Sequence, residues 1–549
     1  MHVLAAFGVI DWGVVGVYFA VIIAVGFWVA WRDKQKGRGS GAGEYFLGGR
    51  SMPTWAVAVS LVATMLSAAT FVGVPDISFG GNLSYLMLNL GGIVAVFLVA
   101  ALFIPKLYAA GTVTIYGFLA RRFGPNAHLA VSITFILGRL LSSGARLFVA
   151  AIPLCLLLFG AKTPTSRQMV VAILLIGGIG TIYATVGGVR AVVWVDTIQF
   201  AIVVGTALLT IGILLHRIPI SVPEIVEALR HPAAVGGGGV GGASKLRIVD
   251  TSLDPTLPYT IWAALIGNTF VMMAALGTDH DLAQRFLITK SAWKGSVSVI
   301  ASQFIGMVVV GLFMAIGLLL YIFYRRPEIM GAVHATTEDK ISIYPWFLLN
   351  ELPTGLAGLA IAGFFAIAQG SLDSAMNALA ASIVADVYVP LLSRLRPDEP
   401  VAEARASKPT VAAVGVGMVL FASGCAAAYN PKNTAIIDFV LGLMTFALSG
   451  MLGVFLTALL TKRGNSASVI AALVAGAVTV LLLQNSVMPW WTGHVFGRAM
   501  KLAWPWWMPL GTGAAFLVCV AGRPVKQEGA TGTRDREEAL QVRGGYRGG

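Results

Sequence analysis

Residues 366–388 read AIAQGSLDSAMNALAASIVADVY, a stretch apolar enough to cross a membrane as one helix. Its middle nevertheless carries polar side chains, namely those of Gln369, Ser371, Asp373, Ser374 and Asn377. Polar groups inside a bilayer are costly, carboxylates especially, and proteins keep them there when they face protein, water or a bound ion. The stretch therefore predicts a membrane-spanning helix whose polar face lines a functional site.

The composition of the whole chain agrees with a membrane-embedded fold. Of its 549 residues, 57% are hydrophobic and only 11% are charged. The apolar runs are roughly 20 residues long, the length of helix that spans a ~30 Å hydrocarbon core. Only helices and closed barrels satisfy every backbone group in lipid, and the period-two alternation of a barrel is missing from the sequence. We predict an all-α polytopic membrane protein.

Hydropathy along the chain predicts a membrane domain over residues 1–521. Two longer connections, 216–256 and 325–353, interrupt it. The first contains the run GGGGVGG (236–242), which we interpret as a flexible loop because no strand precedes it and no GK[ST] follows. Residues 522–549 are polar, charged and Gly-rich, which predicts a disordered cytoplasmic tail. The thirteen predicted spans are 12–31, 54–80, 83–108, 127–159, 168–187, 190–215, 257–283, 293–324, 354–387, 409–429, 434–461, 466–484 and 503–521.

Basic residues are distributed unevenly between the connections. With the N-terminus outside, cytoplasmic segments hold 24 of the 38 Lys and Arg residues and outside segments hold 12, while Arg139 and Arg146 lie inside a span. Such an excess on the cytoplasmic side predicts an N-out, C-in orientation. The net charge of +13 is then directed largely at anionic membrane lipid, and we expect no nucleic acid partner. The three cysteines lie far apart in apolar runs and predict no disulfide framework.

Four segments follow one another along the chain with recognisable motifs. They are EYFLGGRSMPTWAVAVSLVATMLSAATFVGVP (44–75), YATVGGVRAVVWVDTIQ (183–199), GTDHDLAQRFLITKS (277–291) and the stretch 366–388 quoted above, which ends in Asp-x-Tyr. Together they resemble the motifs of the sodium/solute symporter family, with Val195 where threonine is usual. The resemblance implies ten core helices in two inverted five-helix repeats, spans 2–6 and 7–11, at about 52–215 and 257–461. It also implies a substrate site at mid-membrane beside a broken helix.

The resemblance also implies a sodium site. Its ligands fall on backbone carbonyls and hydroxyls of the first and eighth core helices, at Ala63, Leu66, Ile367, Gly370 and Ser371. The family usually has two adjacent hydroxyl residues, and here the first of them is Gly370. One hydroxyl ligand is therefore missing, unless water or Gln369 replaces it. Na⁺ is the only cofactor that we expect, with no organic cofactor.

A further cation site is implied at Asp196, Asp373 and Ser374. Two carboxylates beside a cation stay ionised, whereas two carboxylates alone raise one pKa. Other interpretations stay open at this stage. Asp196 could pair at a helix end with Arg190 or another cytoplasmic base, Asp373 could hydrogen-bond to a neighbouring helix, or a desolvated aspartate could carry a proton.

Arg139 and Arg146 stand seven residues apart in the fourth span, so both point to one face of a helix. A buried guanidinium needs a partner. Arg146 could grip a substrate carboxylate as a bidentate fork, or it could pair with Asp373 or Asp438. Substrate contact is the weaker of the hypotheses for Arg139.

Candidates for the substrate cavity lie at the break in the first core helix and on two later spans: Ser67, Ala68, Thr70, Arg146, Asn268, Met272 and Gln369. Asp279, His280 and Asp281 follow one another near a helix end, so we expect that they cannot share one face. We interpret them as a polar helix cap that pairs with Arg285, rather than as a metal or acid–base cluster.

The resemblance implies a Na⁺-coupled symporter of an inner or plasma membrane, which imports a small carboxylate-bearing or sugar-like solute by alternating access. Three alternatives remain at this stage: an H⁺-coupled transporter, a cation-independent transporter, and a transport-derived sensor. A membrane enzyme is disfavoured because the sequence lacks HExxH, GxSxG and any other paired catalytic constellation.

Overall fold

The computed structural model describes residues 8–36, 42–159, 164–232, 244–331, 343–395, 403–428 and 435–524. Within these ranges the chain is helical apart from its connections and one isolated bridge between Met52 and Thr289. We label the principal helices α1 (Val9–Gln35), α2 (Thr54–Met65), α3 (Ala68–Gly80), α4 (Leu83–Ala110), α5 (Pro125–Phe159), α6 (Ser166–Arg217), α7 (Ala263–Thr278), α8 (His280–Leu287), α9 (Ala292–Arg325), α10 (Leu356–Leu395), α11 (Glu403–Ala428), α12 (Ala435–Leu460), α13 (Ser466–Leu483) and α14 (Trp507–Ala521).

Shorter helices occur in the connections, at Ala42–Leu47, Gly117–Phe123, Val222–Arg230, Pro327–Met330, Ile343–Asn350 and Met488–Phe496. Among the described residues, eight helices are long and apolar enough to cross a membrane, and the bent pair α2 and α3 makes a ninth span. The predicted polytopic helical fold is therefore confirmed. The count of thirteen spans and the N-out orientation stay predictions. The Gly-rich run at 236–242 and the tail after residue 524 lie outside the described residues.

The predicted span 54–80 is broken in its middle. Helix α2 ends at Met65 and α3 begins at Ala68, with a bend of 67° between them. Leu66 and Ser67 between the two helices have extended backbone, with ψ of 143° and 166°. The end of a helix leaves backbone carbonyls and N–H groups without helical partners, so a break inside the protein exposes polar backbone to a ligand.

Helix α6 is 52 residues long, but it consists of two helices that meet at Gly188. Gly188 has φ of +59°, and a Cβ there would lie 2.9 Å from the carbonyl oxygen of Tyr45. Glycine is therefore needed both for the backbone conformation and for the close approach of the neighbouring segment. The break falls between the predicted spans 168–187 and 190–215.

Helix α10 contains residues 366–388, the apolar stretch with polar residues in its middle, and lies at the centre of the molecule. Almost every residue between Ala357 and Ser382 is buried. The helix packs against α1, α2, α5 and both halves of α6. Its polar residues therefore face other helices, as the cost of polar groups in lipid requires.

Candidate ion and substrate site

The break between α2 and α3 meets α5 and α10 at a small cavity. The cavity has a volume of about 10 Å³, which is room for roughly one water molecule. Its walls are formed by Ser67, Ala68, Arg146, Val149, Ala150, Ala368 and Ser371. Residues predicted separately for the sodium site and for the substrate site thus border one space.

The side chain of Arg146 lines this cavity. It makes no hydrogen bond or ion pair with any residue that the structure describes. Both carboxylate oxygens of Asp373 also lack a hydrogen-bond partner in the described part of the chain, so the predicted alternative of an Arg146–Asp373 pair is wrong. The side chain of Asp438 lies outside the described residues.

A second, larger cavity of about 190 Å³ also borders the break, at Leu66. Four predicted residues line it: Leu66, Thr70, Asn268 and Met272. The hydroxyl of Thr70 lies 3.5 Å from that of Ser67, which lines the small cavity. The Ser67–Thr70 pair therefore links the two cavities.

The larger cavity also contains polar residues that the sequence analysis missed: Tyr85, Asn89, Ser302 and Gln303. Gln303 Nε2 donates to Asn89 Oδ1 at 3.3 Å. Asn89 and Gln303 interrupt apolar runs in the third and eighth predicted spans. They carry the same signal that singled out residues 366–388, namely polar groups in the middle of a span.

Two of the predicted sodium ligands, Ala63 on α2 and Gly370 on α10, face each other between these helices. A Cβ built at Gly370 would lie 3.4 Å from the carbonyl oxygen of Ala63. Ile367 and Ser371 are buried on the same helix. The Ser371 hydroxyl donates to the carbonyl of Ala368 at 3.4 Å and borders the small cavity. The structure thus brings the α2 and α10 sets together.

Gln369 lies apart from both cavities. Its Oε1 accepts a hydrogen bond of 3.2 Å from the hydroxyl of Tyr18 on α1. Gln369 therefore interacts with the first helix in this structure, although the sequence analysis makes it a candidate for the substrate cavity.

Asp196 is fully buried on the second half of α6. One of its oxygens, Oδ2, accepts a hydrogen bond of 2.5 Å from Ser60 and lies 3.5 Å from Arg285 Nη2. The other, Oδ1, has no partner among the described residues. Asp196 does not pair with Arg190, which donates to Asp33 at 2.8 Å. The pairing of Asp196 with Arg285 fits the other predicted alternative, a basic residue of another predicted cytoplasmic segment.

Asp373 and Ser374 face different neighbours, since consecutive residues on a helix point about 100° apart. Asp373 Oδ1 lies 3.1 Å from the position that a Cβ at Gly180 on α6 would take. The Ser374 hydroxyl donates to Asp281 Oδ2 at 3.3 Å. The implied second cation site stays a prediction, with Ser374 engaged by a residue outside that set.

Arg139 forms the centre of a buried ion-pair network. It donates to Asp279 at 2.9 Å and also to Asp281. Asp279 caps α8 by accepting from the Asp281 amide at 3.0 Å, so the predicted helix cap is confirmed. The expectations that these acids cannot share a face and that they pair with Arg285 are wrong. Asp279 has extended backbone between two helices, which lets both carboxylates reach Arg139.

These features define an integral membrane protein with a broken first core helix and a polar centre, the architecture of a secondary transporter. Residues 45–476 match the family model of the Sodium:solute symporter family. The chain belongs to this family. Its members are transporters and not enzymes, and Na⁺ is their coupling ion.

Known relatives cover most of the chain. It is 26% identical to the sodium/sialic acid symporter of Proteus mirabilis over 86% of this chain and 89% of that protein. It is 27% identical to the sodium/glucose cotransporter of Vibrio parahaemolyticus, over 86% of this chain and 85% of that protein. The solved structure of a Na⁺-coupled sialic acid symporter, substrate-bound and outward-open, shares the fold, with a TM-score of 0.76 and 23% identity. The match covers 95% of this chain and 100% of that chain.

Proposed function

We propose that this Na⁺-coupled symporter imports a small solute that carries a carboxylate, and that Arg146 binds this carboxylate. The observation that carries the proposal is that the Arg146 guanidinium, at the cavity beside the helix break, has no partner among the described residues. A guanidinium that leaves water without a counter-charge is costly, and a carboxylate matches its planar fork with two hydrogen bonds. A ligand that brings its own negative charge removes that cost.

The helix break supports the same proposal. Helix α3 begins at Ala68, so its N-terminal N–H groups and the positive end of its dipole lie beside the cavity that Arg146 borders. Anionic groups are stabilised at helix N-termini, and half-helices serve this purpose in transporters of this architecture. Two features of positive potential thus favour an anion at one point.

The larger cavity favours a hydroxylated, sugar-like body. Its polar lining offers hydroxyl and amide groups, from Thr70, Tyr85, Asn89, Ser302 and Gln303. Such groups both donate and accept hydrogen bonds, as sugar hydroxyls require. A sugar acid would place its carboxylate at Arg146 and its hydroxyls beyond the Ser67–Thr70 pair. Sialic acid, named for one relative, has both kinds of group.

For the coupling ion we propose the site at Ala63, Leu66, Ile367, Gly370 and Ser371. A cation there would join α2 to α10 and so hold the walls of the small cavity in place. Ion binding that favours one conformation raises the affinity for a solute that needs the same conformation. The membrane potential adds about 2.3 kcal/mol per charge per 100 mV. In the second predicted set, both carboxylate oxygens of Asp373 have no hydrogen-bond partner among the described residues, which supports a further cation there.

Uptake into proteoliposomes tests the function. Labelled sugar acid, neutral sugar and monocarboxylate are each offered under an inward Na⁺ gradient and, separately, an inward proton gradient. We expect Na⁺-driven accumulation of the sugar acid. Accumulation of the neutral sugar alone would refute the carboxylate assignment. Accumulation under the proton gradient without Na⁺ would favour the H⁺-coupled alternative, and no accumulation of any solute would favour a sensor.

A further inference from the structure

A cavity of about 400 Å³ lies at the end of α1, far from the helix break in its lining. Four elements form its walls: α1, the short helix Ala42–Leu47, the part of α6 around Gly188, and the start of α11. It shares no lining residue with either cavity at the helix break. Its volume falls within the ~300–1,000 Å³ that is typical of binding sites for small molecules.

The residues that α1 contributes to this cavity follow one stripe of the helix. Four of them stand at positions i, i+3, i+4 and i+7 and so share a face, namely Phe27, Ala30, Trp31 and Lys34. Over ~10 Å along the helix axis the stripe changes from apolar Phe27 through Trp31 to the ammonium group of Lys34. Tryptophan is typical of the membrane interface, and lysine extends its ammonium group to the headgroups. A lipid has the same order of acyl chain, interface and charged headgroup.

Five charged side chains line the cavity, and one arginine engages both of the acids. Arg190 donates to Asp33 at 2.8 Å, and its Nη2 lies 4.0 Å from Glu44 Oε2. Lys34 on α1 and Lys408 on α11 are exposed, and they make no hydrogen bond or ion pair with any residue that the structure describes. Two ammonium groups from separate helices thus border one cavity without a counter-charge from the described part of the chain.

The kink of α6 fixes the walls of the cavity. A Cβ at Gly187 would lie 3.3 Å from the carbonyl oxygen of Gly26, so α1 and α6 approach each other closely beside the cavity. Just beyond the kink, Arg190 Nε donates to the carbonyl of Gly48 at 2.9 Å, while Nη1 reaches Asp33. Backbone packing and an ion pair therefore hold α1 and the segment before α2 in place around the cavity.

We propose that this cavity binds an anionic glycerophospholipid, with its phosphate at Lys34 and Lys408 and an acyl chain along Phe27 and Ala30. Lysine binds phosphate as a point charge, and basic pockets between membrane helices recognise anionic headgroups. The predicted N-out orientation places the cavity at the cytoplasmic leaflet, where such lipids attract basic residues. A soluble phosphate ester has the same charged group, but the apolar part of the stripe favours a lipid.

Lipid titration of the purified, delipidated protein in detergent tests the inference. The probe is palmitoyl-oleoyl phosphatidylglycerol, and zwitterionic phosphatidylcholine with the same chains is the reference. The measured quantity is the lipid concentration that gives half of the maximal rise in melting temperature. We expect a larger rise with phosphatidylglycerol than with phosphatidylcholine. Lys34→Gln/Lys408→Gln should raise the half-maximal phosphatidylglycerol concentration roughly 20-fold, about fivefold for each lysine.

A matched control separates this cavity from the general basic charge of the surface. Lys36→Gln/Arg405→Gln removes the same charge beside α1 and from α11, but neither residue lines the cavity. We expect the half-maximal concentration to stay close to that of the wild type. All four side chains are exposed, so the melting temperatures without lipid should also stay close to it. Equal losses of affinity in the two double variants, or no loss in Lys34→Gln/Lys408→Gln, would overturn the inference.

Two further arms distinguish a lipid from a soluble phosphate ester. Glycerol 3-phosphate carries the charged group without acyl chains, and we expect it not to raise the melting temperature at concentrations where phosphatidylglycerol saturates. Phe27→Ala shortens the apolar end of the stripe and should raise the half-maximal phosphatidylglycerol concentration a few-fold, while the preference over phosphatidylcholine remains. A rise with glycerol 3-phosphate as large as that with the lipid, or an unchanged lipid affinity in Phe27→Ala, would contradict the binding of a lipid.

Discussion

Arg139 and Arg146 lie on the same helix, seven residues apart, and yet their surroundings differ. Arg139 donates to Asp279 and Asp281, so the positive charge of Arg139 is compensated inside the protein. Arg146 borders a cavity and has no partner among the residues that the structure describes. A paired buried arginine is a structural element, whereas an unpaired one at a cavity calls for a ligand. The neighbouring helix, not the arginine's own sequence, decides which role applies.

The largest effect in this comparison is expected for Arg139→Gln. The substitution leaves two buried carboxylates without their cation, which costs about 3–5 kcal/mol of stability. We expect a steep loss of folded protein in detergent, measured by size-exclusion yield and melting temperature. Adding Asp281→Asn removes one uncompensated charge and should restore part of the stability. A wild-type melting temperature in Arg139→Gln would contradict the structural role of the network.

Arg146→Gln is expected to change binding and leave folding intact. Charge-assisted hydrogen bonds contribute about 1.5–3 kcal/mol, so the affinity for a sugar acid should fall roughly 10- to 100-fold. The measurement is the rise in melting temperature that the acid causes at saturating Na⁺. The melting temperature without solute should stay close to that of the wild type. If this variant unfolds as Arg139→Gln does, the two arginines have the same role and the comparison fails.

Ser371→Ala extends the comparison from the arginines to the ion. Loss of one hydroxyl ligand costs on the order of 1 kcal/mol, which raises the Na⁺ concentration for half-maximal uptake about fivefold. Ser393→Ala is a matched control, because Ser393 is an exposed serine near the end of α10 that also donates to its own helix backbone. Identical Na⁺ dependence of the two variants would remove Ser371 from the ion site.

The smallest effect is expected for Ser374→Ala. Its hydroxyl donates to Asp281, which keeps its ion pair with Arg139. We expect a stability loss of about 1 kcal/mol and less than about a twofold change in Na⁺ half-saturation. Calorimetric or fluorescence-based melting with a Na⁺ series measures both quantities. A change in Na⁺ dependence as large as that of Ser371→Ala would place Ser374 at a cation site instead.

The sequence alone predicts the local features of the site well. Polar residues inside an apolar run identify α10, and the motif over 44–75 implies the broken helix that the structure has at Leu66 and Ser67. Both signals are local, since they depend on the cost of polar groups in lipid and on a short motif. The same local signal was available for Asn89 and Gln303.

Contacts between distant segments were not predictable in this way. Arg139 and its acids are 140 and 142 positions apart, and Gln199 reaches Tyr18 across 181 positions. Residue type and spacing indicate which buried side chains need a hydrogen-bond or ion-pair partner. The packing of the helices decides which residue becomes that partner. For this reason the structure pairs Asp196 with Arg285 and not with Arg190, and it pairs Asp279 with Arg139 and not with Arg285.

The central claim is that Arg146 binds a substrate carboxylate, and the most direct measurement is the preference for an acid over its amide. Uptake of a sugar acid and of its neutral amide is compared in proteoliposomes under one Na⁺ gradient, for the wild type and Arg146→Gln. We predict that the wild type prefers the acid by roughly tenfold or more and that Arg146→Gln has no preference. An undiminished acid preference in Arg146→Gln would contradict the claim.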